Sequence, residues 1–327
     1  MDLTGEIADL VAQIPPGRVA TFADVAEGLG DPTAAMAVFR FLREQRVPGT
    51  HRVVRASADL AFPGGGRDLR REGVQVERGQ VADLERFRWR EFRGPRTLSR
   101  LREEQIRLSA RVDETDRVAD LGRIAGFDVS YDADMAFAAG VVMDAAGDRV
   151  LQEVVIETRV AFPYIPGYLA YREFPAIEAC FRRLEPPPDL LMIDGHGILH
   201  PAGLGIASFA GIVLDRPAIG VAKSLLVGEP GPTPRKPGGT TAVTFHGKTM
   251  GAALRSGRSH RLIYVSVGHG ISLSTAVRIT KRLCKTRIPE PLRRADLASR
   301  NEKRKWKKKR LRVLSARPRE ASATLRP

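Results

Sequence analysis

The sequence predicts an α/β protein in which a mixed sheet with flanking helices follows a small helical domain. Three observations support this class. The first 85 residues hold short helical patterns separated by glycine and proline, three strand-like segments follow one another after residue 122, and strand and helix patterns then alternate. With 43% apolar residues, the 327-residue chain can form sizeable cores, and its length suggests two domains.

A helix-turn-helix unit is predicted near the N-terminus. Residues 21–30 combine a threonine cap, apolar residues at helical spacing and a final glycine, and Asp31-Pro32 opens a second helix. The second helix of such a unit can enter a major groove. His51-Arg52-Val53-Val54 and the glycine-rich turn Pro63-Gly64-Gly65-Gly66 follow, as the strand and wing of a small winged helix-turn-helix domain would.

The basic residues are concentrated in two segments. Residues 86–102 hold seven arginines and one glutamate, which predicts a basic linker, and a polar helix is predicted from Arg107 to about Asp120. From residue 281 onward the chain has 18 basic and 4 acidic residues, within a net charge of +15. We expect the basic tail 301–327 to bind a nucleic-acid backbone or to be solvated and disordered.

Composition also limits the location of the protein. No apolar run approaches the length that spans a bilayer, and the acidic N-terminus lacks the pattern of a secretory signal. Two cysteines, Cys180 and Cys284, make neither a disulfide framework nor a zinc site. The sequence therefore predicts a cytoplasmic protein without a membrane partner.

The second domain is predicted to begin with an antiparallel meander. Its predicted elements are strands over 123–132, 137–143 and 150–157, a helix over 173–184, and strands over 190–194 and 218–222. Asp128 interrupts the first of these strands, and Asp194 ends a buried one.

Acidic residues at these strands are the sharpest chemical signal. A carboxylate in apolar surroundings is costly unless it is paired or binds a metal, although a single aspartate at a strand end is often a turn or cap residue. Asp128 and Asp194, with Glu173 opening a helix and His200 and His269 near glycine-rich turns, favour a site. Such oxygen ligands suit Mg²⁺ or Mn²⁺ better than zinc.

Eight motifs, in order, resemble endonuclease V over residues 103–300. They are Phe127-Asp128-Val129-Ser130-Tyr131, Pro163-Tyr164-Ile165-Pro166-Gly167, Tyr171-Arg172-Glu173, Asp194-Gly195-His196-Gly197 with His200-Pro201, Gly203-Leu204-Gly205-Ile206-Ala207-Ser208, Gly220-Val221-Ala222-Lys223-Ser224, Gly268-His269 and Ile288-Pro289-Glu290-Pro291. The resemblance implies an RNase H-like fold and metal-dependent hydrolysis of a DNA phosphodiester on the 3′ side of deoxyinosine.

The resemblance also implies roles for individual residues. Asp128 and Asp194 would bind Mg²⁺, or Mn²⁺ in its place, and Glu173 would complete the ligand shell directly or through water. His269 would orient or deprotonate the nucleophile, and Lys223 would hold a phosphate oxygen.

Three further features of this domain have expected roles. His200 would either contact the DNA near the scissile phosphate or be a satisfied turn histidine. The prolines of Pro163-Tyr164-Ile165-Pro166 would project the aromatic and aliphatic side chains together as a wedge that replaces an extruded base. The loop from Gly195 to Gly205 would bring backbone groups close to the hypoxanthine edge.

Within the predicted domain 1–85, residues 1 to about 79 resemble the DNA-binding domain of alkylguanine-DNA alkyltransferases. The resemblance rests on Pro16-Gly17-Arg18-Val19, the two helices, Val47-Pro48, His51-Arg52-Val53-Val54 and the glycine-rich turn. In that family a cysteine in a Pro-Cys-His-Arg motif accepts the alkyl group, whereas Thr50 precedes His51-Arg52 here. A threonine hydroxyl cannot act as a thiolate acceptor. The resemblance implies DNA contacts by Phe22, Met36, Thr50 and Arg52 but no repair by this domain.

Three functions remain open at the level of sequence. The first is a Mg²⁺-dependent deoxyinosine endodeoxyribonuclease with an N-terminal, non-catalytic domain that binds damaged DNA. The second is a non-catalytic damage-recognition protein. The third is a ribonuclease directed to inosine-containing RNA.

Overall fold

The computed structural model describes residues 3–45, 47–118, 120–257 and 260–315. Within these ranges a small helical region precedes a nine-stranded mixed sheet with helices on both faces. The predicted fold class is confirmed.

The N-terminal region consists of short helices and two-residue strands. Its helices are α1 (Leu3–Ala12), α2 (Phe22–Leu29), α3 (Ala35–Glu44), α4 (Gly65–Arg71) and α5 (Leu84–Phe87). Its strands are β1 (Ala20–Thr21), β2 (Val53–Val54), β3 (Val76–Glu77) and β4 (Gln80–Val81). β1 and β2 pair in parallel, and β3 and β4 pair antiparallel.

Helices α2 and α3 form the predicted helix-turn-helix. Thr21 and Asp24 cap α2 reciprocally, since each side chain accepts a hydrogen bond from the other residue's backbone N–H. Gly30 ends α2 with a φ of +102°, a conformation that favours glycine. A 3₁₀ turn over Pro32–Ala34, capped by Asp31, leads into α3. The threonine cap and the glycine stop are therefore as predicted.

The predicted position of the wing is wrong. Gly64 has a φ of +81° and Gly65 begins α4, so the glycine-rich run starts a helix. The hairpin of this region is β3–β4, whose turn residues Arg78 and Gly79 have φ values of +48° and +83°. Positive φ at both central residues matches the twist of a tight hairpin, which the sequence pattern had not indicated.

The large sheet belongs to the second region. Its strands are β5 (Arg123–Asp132), β6 (Met135–Asp144), β7 (Val150–Arg159), β8 (Leu190–Asp194), β9 (Ala218–Ala222), β10 (Glu229–Pro230), β11 (Thr240–Phe245), β12 (Lys248–Leu254) and β13 (Ile263–His269). Their order is β10-β11-β12-β13-β9-β8-β5-β6-β7. β5, β6 and β7 form the predicted antiparallel meander, and β8 and β9 run parallel to β5. The carboxyl ends of β5, β8 and β9 therefore meet at one edge of the sheet, which we call the carboxyl edge.

The remaining described helices are α6 (Thr97–Ser109), α7 (Leu169–Phe181), α8 (Ile206–Leu214), α9 (Leu273–Leu283) and α10 (Glu290–Ser315). Alternate residues of β5 face opposite helical layers. Ala125 and Phe127 pack with α7 and α8, whereas Ile124 packs with α9. Gly126 faces the start of α10 so closely that a Cβ would lie 2.3 Å from the Pro291 carbonyl group.

Helix α6 begins earlier than predicted. It spans Thr97–Ser109 and includes the end of the predicted linker, whereas the segment from Arg111 to Asp120, predicted as a polar helix, has no described helix. Leu98, Leu101 and Gln105 form its buried stripe. Arginines surround these leucines in the sequence and disguised the apolar face.

One hydrophobic core is shared by the two regions. It joins buried residues of α1, α2 and α3 to Leu98 and Leu101 of α6 and to Phe162, Ile165 and Tyr168 from the loop after β7. The shared core means that the helix-turn-helix region packs directly on the sheet region.

Helix α10 runs uninterrupted through the predicted boundary at residue 300. The Trp306 ring lies 5.7 Å from the Phe137 ring, and Lys307 Nζ lies 2.9 Å from an Asp132 carboxylate oxygen. The predicted tail is thus helical as far as Ser315, and its residues 316–327 lie outside the described residues. Among the described residues no helix is both long enough and apolar enough to cross a membrane.

Candidate active site

Asp128 and Asp194 are neighbours at the carboxyl edge. Phe127 of β5 is in register with Ile193 of β8, so the two aspartates that follow are adjacent on parallel strands and face α10. They open into a cavity of about 550 Å³, which we call the carboxylate cavity. Its lining residues are Asp128, Val129, Ser130, Tyr131, Asp194, Lys223, Asp296, Arg300, Lys303 and Arg304.

The environment of the Asp128 carboxyl group disfavours its ionised form. It is only 8% exposed, and burial followed by the neighbouring Asp194 raises its pKa. The Ser299 hydroxyl donates to its Oδ2 at 2.9 Å and opposes this shift. The Lys223 ammonium group, which forms a close ion pair with Asp194, also lowers the pKa of Asp128. The negative charge of the two aspartates is thus only partly balanced by Ser299 and Lys223.

Glu173 approaches the aspartates from the other face of the sheet. It lies on α7, and the Tyr131 hydroxyl donates to its Oε1 at 2.8 Å. Burial raises the pKa of Glu173 to about 8, and the charges of Asp128 and Asp194 act in the same direction. The Arg172 guanidinium stacks 4.3 Å from the Tyr131 ring centroid and holds the phenol in place.

Asp296 is a site residue that the sequence reasoning missed. It lies on α10, lines the carboxylate cavity and forms an ion pair with Arg300 at 2.9 Å. The motif Ile288-Pro289-Glu290-Pro291 marks the start of this helix but does not by itself indicate which of the acids that follow faces the sheet. Buried Ala295 and Ala298 flank Asp296 and would have indicated that it lies near the sheet-facing side.

His269 lies away from the carboxylates, so its predicted role is wrong. It pairs with Ala218, the first residue of β9, whereas Asp194 pairs with Val221 near the end of that strand. β13 is antiparallel to β9, and its carboxyl end therefore lies at the opposite edge of the sheet. The His269 Nδ1 accepts from the backbone N–H of Asp113 at 3.2 Å, and Arg117 Nη1 lies 3.1 Å from Nε2.

His200 is a satisfied structural histidine, the second of its two expected roles. It is 4% exposed, and its Nδ1 accepts from the Ala202 backbone N–H at 3.1 Å. The proton therefore lies on Nε2, which donates to the Gly167 carbonyl oxygen at 3.1 Å. Burial lowers the pKa of His200 to about 3, so the ring stays neutral.

Comparison with known proteins identifies the family. Residues 106–297 match the family model described as endonuclease V, which covers more than half of the chain. The chain belongs to the endonuclease V family. Residues 2–79 match a second model, the DNA-binding domain of 6-O-methylguanine DNA methyltransferase.

Relatives of the chain have both one-domain and two-domain forms. Endonuclease V of Roseiflexus sp. is 41% identical over 203 residues, which are 62% of this chain and 91% of that protein. A bifunctional methyltransferase/endonuclease of Picrophilus torridus is 33% identical over 302 residues, which are 90% of this chain and 94% of its own. The two-domain arrangement is therefore shared with a known protein.

Solved endonuclease V structures match the sheet region. The catalytic domain of human endonuclease V superimposes with a TM-score of 0.62 at 36% identity, covering 65% of this chain and 98% of that one. Ciona intestinalis endonuclease V, solved with a 24mer DNA containing an inosine followed by a ribo-adenosine, gives 0.57 at 27% identity, covering 64% and 98%. The protein is a DNA repair endonuclease with an N-terminal alkyltransferase-like DNA-binding domain.

Endonuclease V enzymes are metal-dependent nucleases, and the donor set here fits a hard cation. In the described part of the chain, no three acidic, histidine or cysteine side chains converge in a ready metal cage. Lys223 and Ser299 instead contact the aspartates, and Tyr131 contacts Glu173. The raised pKa of Asp128 and of Glu173 shows that negative charge is disfavoured there, which a divalent cation would relieve.

The predicted wedge is divided between solvent and core. Tyr164 is 51% exposed, whereas Ile165 is 1% exposed and packs in the shared core. The expectation that the two side chains project together is wrong for Ile165, because the helix-turn-helix region covers it. Pro163 is partly buried, Pro166 is exposed, and Tyr164 alone offers a free aromatic ring at this loop.

The glycines after Asp194 are required by the protein's own packing. A Cβ at Gly195 would lie 2.5 Å from an Ile206 side-chain carbon, and one at Gly205 would lie 2.2 Å from the His196 carbonyl oxygen. His196 Nδ1 is buried without a hydrogen-bond partner among the described residues, and burial lowers the pKa of this ring to about 4. The predicted approach of this loop to a base stays a prediction.

The N-terminal residues predicted to contact DNA have different environments. Met36, on α3, is 57% exposed and available. Phe22 instead packs edge-on with Phe39 at 5.3 Å, and the Thr50 hydroxyl donates to the Val47 carbonyl oxygen at 2.6 Å.

Arg52 is already engaged in contacts within its own domain, and its predicted contact with DNA stays a prediction. Its guanidinium group donates to both carboxylate oxygens of Glu72, at distances down to 2.7 Å, and to the Ile14 carbonyl oxygen at 2.8 Å. This pairing lowers the pKa of Glu72 to about 2, so the ion pair persists at neutral pH. Through these hydrogen bonds Arg52 stabilises the domain.

Proposed function

We propose that the protein is a Mg²⁺-dependent endodeoxyribonuclease that recognises deoxyinosine and hydrolyses a phosphodiester on its 3′ side, with Mn²⁺ able to replace Mg²⁺. The adjacency of Asp128 and Asp194 at the carboxyl edge, beside Lys223, is the observation that carries this proposal. The inosine-containing DNA bound by the Ciona intestinalis relative supports the choice of lesion.

The residues around the carboxylate cavity can divide the chemistry among them. Asp128 and Asp194 would hold the cation, which when bound supplies charge neutralisation at the phosphate and a more acidic water. Lys223 would move from Asp194 to a phosphate oxygen, as its flexible ammonium allows. Tyr131 orients Glu173, and Asp296 lies at the cavity wall as a further carboxylate that can accept the nucleophile's proton.

A nicking assay tests the proposal. Duplexes carrying one deoxyinosine, one uracil or no lesion are incubated with the full chain in Mg²⁺, Mn²⁺ or chelator. Asp128→Asn and Asp194→Asn should each lower deoxyinosine nicking by at least about a thousandfold while binding persists. Asp215→Asn, an exposed aspartate near His269, is the matched control. Wild-type nicking in both active-site variants would refute the assignment, and binding without any metal-dependent nicking would favour a non-catalytic damage-recognition protein.

An inosine-directed ribonuclease is the second candidate. The ribo-adenosine after the inosine in the Ciona intestinalis complex favours it, because that relative accommodates a 2′-hydroxyl next to the lesion. Matched strands carrying deoxyinosine or inosine, mixed in equal amounts, separate the candidates through the ratio of kcat/KM values. A ratio in favour of the RNA strand would replace our first proposal.

We further propose that the N-terminal region binds DNA without transferring alkyl groups. Thr50 stands at the acceptor position, and its hydroxyl already donates to Val47. Incubation with duplex carrying a labelled O6-methylguanine should leave the protein unlabelled. Labelling abolished by Thr50→Ala would contradict this proposal.

A further inference from the structure

Helix α10 contributes a basic wall to the carboxylate cavity. Arg300, Lys303 and Arg304 line the cavity opposite Asp128 and Asp194. These residues and Lys307 lie along the flank of α10 that borders the cavity, next to the face that packs on the sheet through Ala295, Ala298 and Trp306. The segment that the sequence marked as a tail therefore reaches the centre of the nuclease region.

Two charges on this wall have no acidic partner. Arg300 is paired with Asp296, and Lys307 is paired with Asp132, each at 2.9 Å. Between them, Lys303 and Arg304 form no ion pair with any described residue. Lys303 and Arg304 are therefore two positive charges without an ion-pair partner among the described residues, and they lie between two arginine and lysine positions that are paired.

The wall is held in a fixed position. Trp306 packs on Phe137 of β6, and the Arg310 guanidinium covers the Trp306 ring at 5.2 Å. Ala295 and Ala298 pack against the same strand at the start of the helix. Contacts on both sides of Lys303 and Arg304 therefore give these cations a defined place, unlike those of a flexible tail.

The position of these cations favours a phosphate other than the scissile one. Along an α-helix, Lys303 lies about 10 Å beyond Asp296. The aspartates and Lys223 already supply the groups that the scissile phosphate needs. We propose that Lys303 and Arg304 bind the backbone phosphate that adjoins the scissile phosphate on the same DNA strand. The inference rests on the proposed function for the location of the scissile phosphate.

Such a subsite would position the strand for cleavage. An arginine and a lysine together can bind one phosphate by a fork of hydrogen bonds and a point charge. These contacts carry no base information and set the register of the strand in the cavity. They would also make cleavage depend on a phosphate that does not react.

The test pairs protein variants with neutralised phosphates. Lys303→Ala/Arg304→Ala is compared with Lys309→Ala/Lys308→Ala, a double variant on the same helix that also removes two positive charges but does not line the cavity. Each protein is titrated with deoxyinosine duplexes that carry a single uncharged methylphosphonate at successive positions. Binding is measured in chelator, where no cleavage is expected, and single-turnover nicking is measured in Mg²⁺.

We expect one methylphosphonate position next to the scissile phosphate to weaken wild-type binding about tenfold. The methylphosphonate at that position should not weaken DNA binding by the Lys303→Ala/Arg304→Ala variant any further. It should weaken DNA binding by the control variant as much as it weakens binding by the wild type. The slope of log Kd against log salt should also fall by about 0.9 for the phosphate lost in the first variant.

The outcomes separate this inference from the proposed function. Equal sensitivity of both variants at every position would show diffuse attraction and overturn the subsite. An interference position without selectivity for deoxyinosine would keep the subsite and overturn the proposed lesion. Interference at the scissile phosphate alone would also overturn the inference, because the two cations would then share that phosphate.

Discussion

At the scale of single residues, the carboxylate cavity is held in a charge state that a cation would change. Asp128 is buried beside Asp194, and its neighbours Ser299 and Lys223 offset only part of the cost. Burial also raises the pKa of Glu173 to about 8. Both shifts mean that the folded protein binds protons here more tightly than the unfolded chain does.

The first prediction concerns stability, pH and metal. Above the ordinary Asp pKa of 3.8 and up to the raised value in the folded protein, the folded state binds a proton that the unfolded state has lost. The free energy of unfolding must therefore fall as the pH rises through this interval. Mg²⁺ replaces the lost protons, so it should raise the Tm by about 5 °C more at pH 8 than at pH 5.

Calorimetry at the two pH values, in chelator and in Mg²⁺, measures this difference. Asp128→Asn should reduce the difference without removing it, because Glu173 contributes in the same direction. Asp215→Asn should behave as the wild type. An equal Mg²⁺ effect at both pH values would show that the cation binds elsewhere.

The second prediction distinguishes Asp296 from His269. Asp296 lines the cavity, while His269 hydrogen-bonds near Asp113 and Arg117 at the opposite edge of the sheet. Asp296→Asn should lower single-turnover nicking at least a hundredfold, because a carboxylate at the reacting phosphate is removed. His269→Gln should stay within about threefold of the wild type. The reverse order of effects would restore the role that the sequence indicated for His269.

The misplaced role of His269 shows how far sequence patterns reach. A residue at the end of a strand is readily recognised from an apolar run, as Asp194 is, and Asp128 stands out as an acid inside such a run. Which edge of the sheet that end occupies depends on strand direction, and β13 runs against β9. Asp296 was missed because it lies inside a long charged helix, where its orientation depends on packing against β5 and β6.

At the scale of elements, the loop after β7 is fixed from two directions. The Gly167 carbonyl oxygen accepts from Gln105 Nε2 of α6 at 2.8 Å and from His200 Nε2 at 3.1 Å. Ile165 lies in the shared core, while Tyr164 remains in solvent. The loop thus presents one aromatic ring on a rigid base, where the sequence had indicated a pair of projecting side chains.

The third prediction separates these two neighbours. Tyr164→Ala should lower deoxyinosine nicking about tenfold in duplex DNA but little in single strands, where no stacked neighbour has to be replaced. Its Tm should be unchanged. Ile165→Ala should instead lower stability by about 2–4 kcal/mol, because it creates a cavity in the core. Nicking of both substrates and thermal unfolding of both variants test the pair, and an equal loss on single strands for Tyr164→Ala would contradict a wedge role.

At the scale of the whole molecule, the two regions are joined by polar contacts as well as by the shared core. The Tyr168 hydroxyl donates to Asp31 Oδ2 at 2.6 Å, and Arg102 Nη2 donates to the same oxygen at 3.2 Å. The Arg102 guanidinium also stacks 4.6 Å from the Tyr168 ring centroid. Asp31 is the residue that caps the turn of the helix-turn-helix, so the DNA-binding unit is connected to the loop that carries Tyr164.

The composition of the sequence did not indicate this contact between the two regions. The seven arginines between residues 86 and 102 suggested a linker, yet Leu98 and Leu101 of that segment are buried in the core shared by both regions. The contacts involve residues far apart in the chain, such as Asp31 and Tyr168, whose pairing only the fold determines. Element types were therefore predictable, and the contact between the regions was not.

The fourth prediction tests whether the two regions act as one unit. Asp31→Ala leaves the buried Tyr168 hydroxyl without its carboxylate and removes the Arg102 ion pair, which should cost about 1–3 kcal/mol of stability. Because the contact lies at the base of the Tyr164 loop, nicking of deoxyinosine should fall several-fold more in duplex than in single-stranded DNA. Asp68→Ala, at an exposed position of the same region with a 3.6 Å contact to Arg71, is the control and should change neither value.

Calorimetry should show a single unfolding transition for the wild type, as a shared core requires. Two separate transitions in the wild type, or equal losses on both substrates for Asp31→Ala, would mean that the helix-turn-helix region is only tethered to the nuclease.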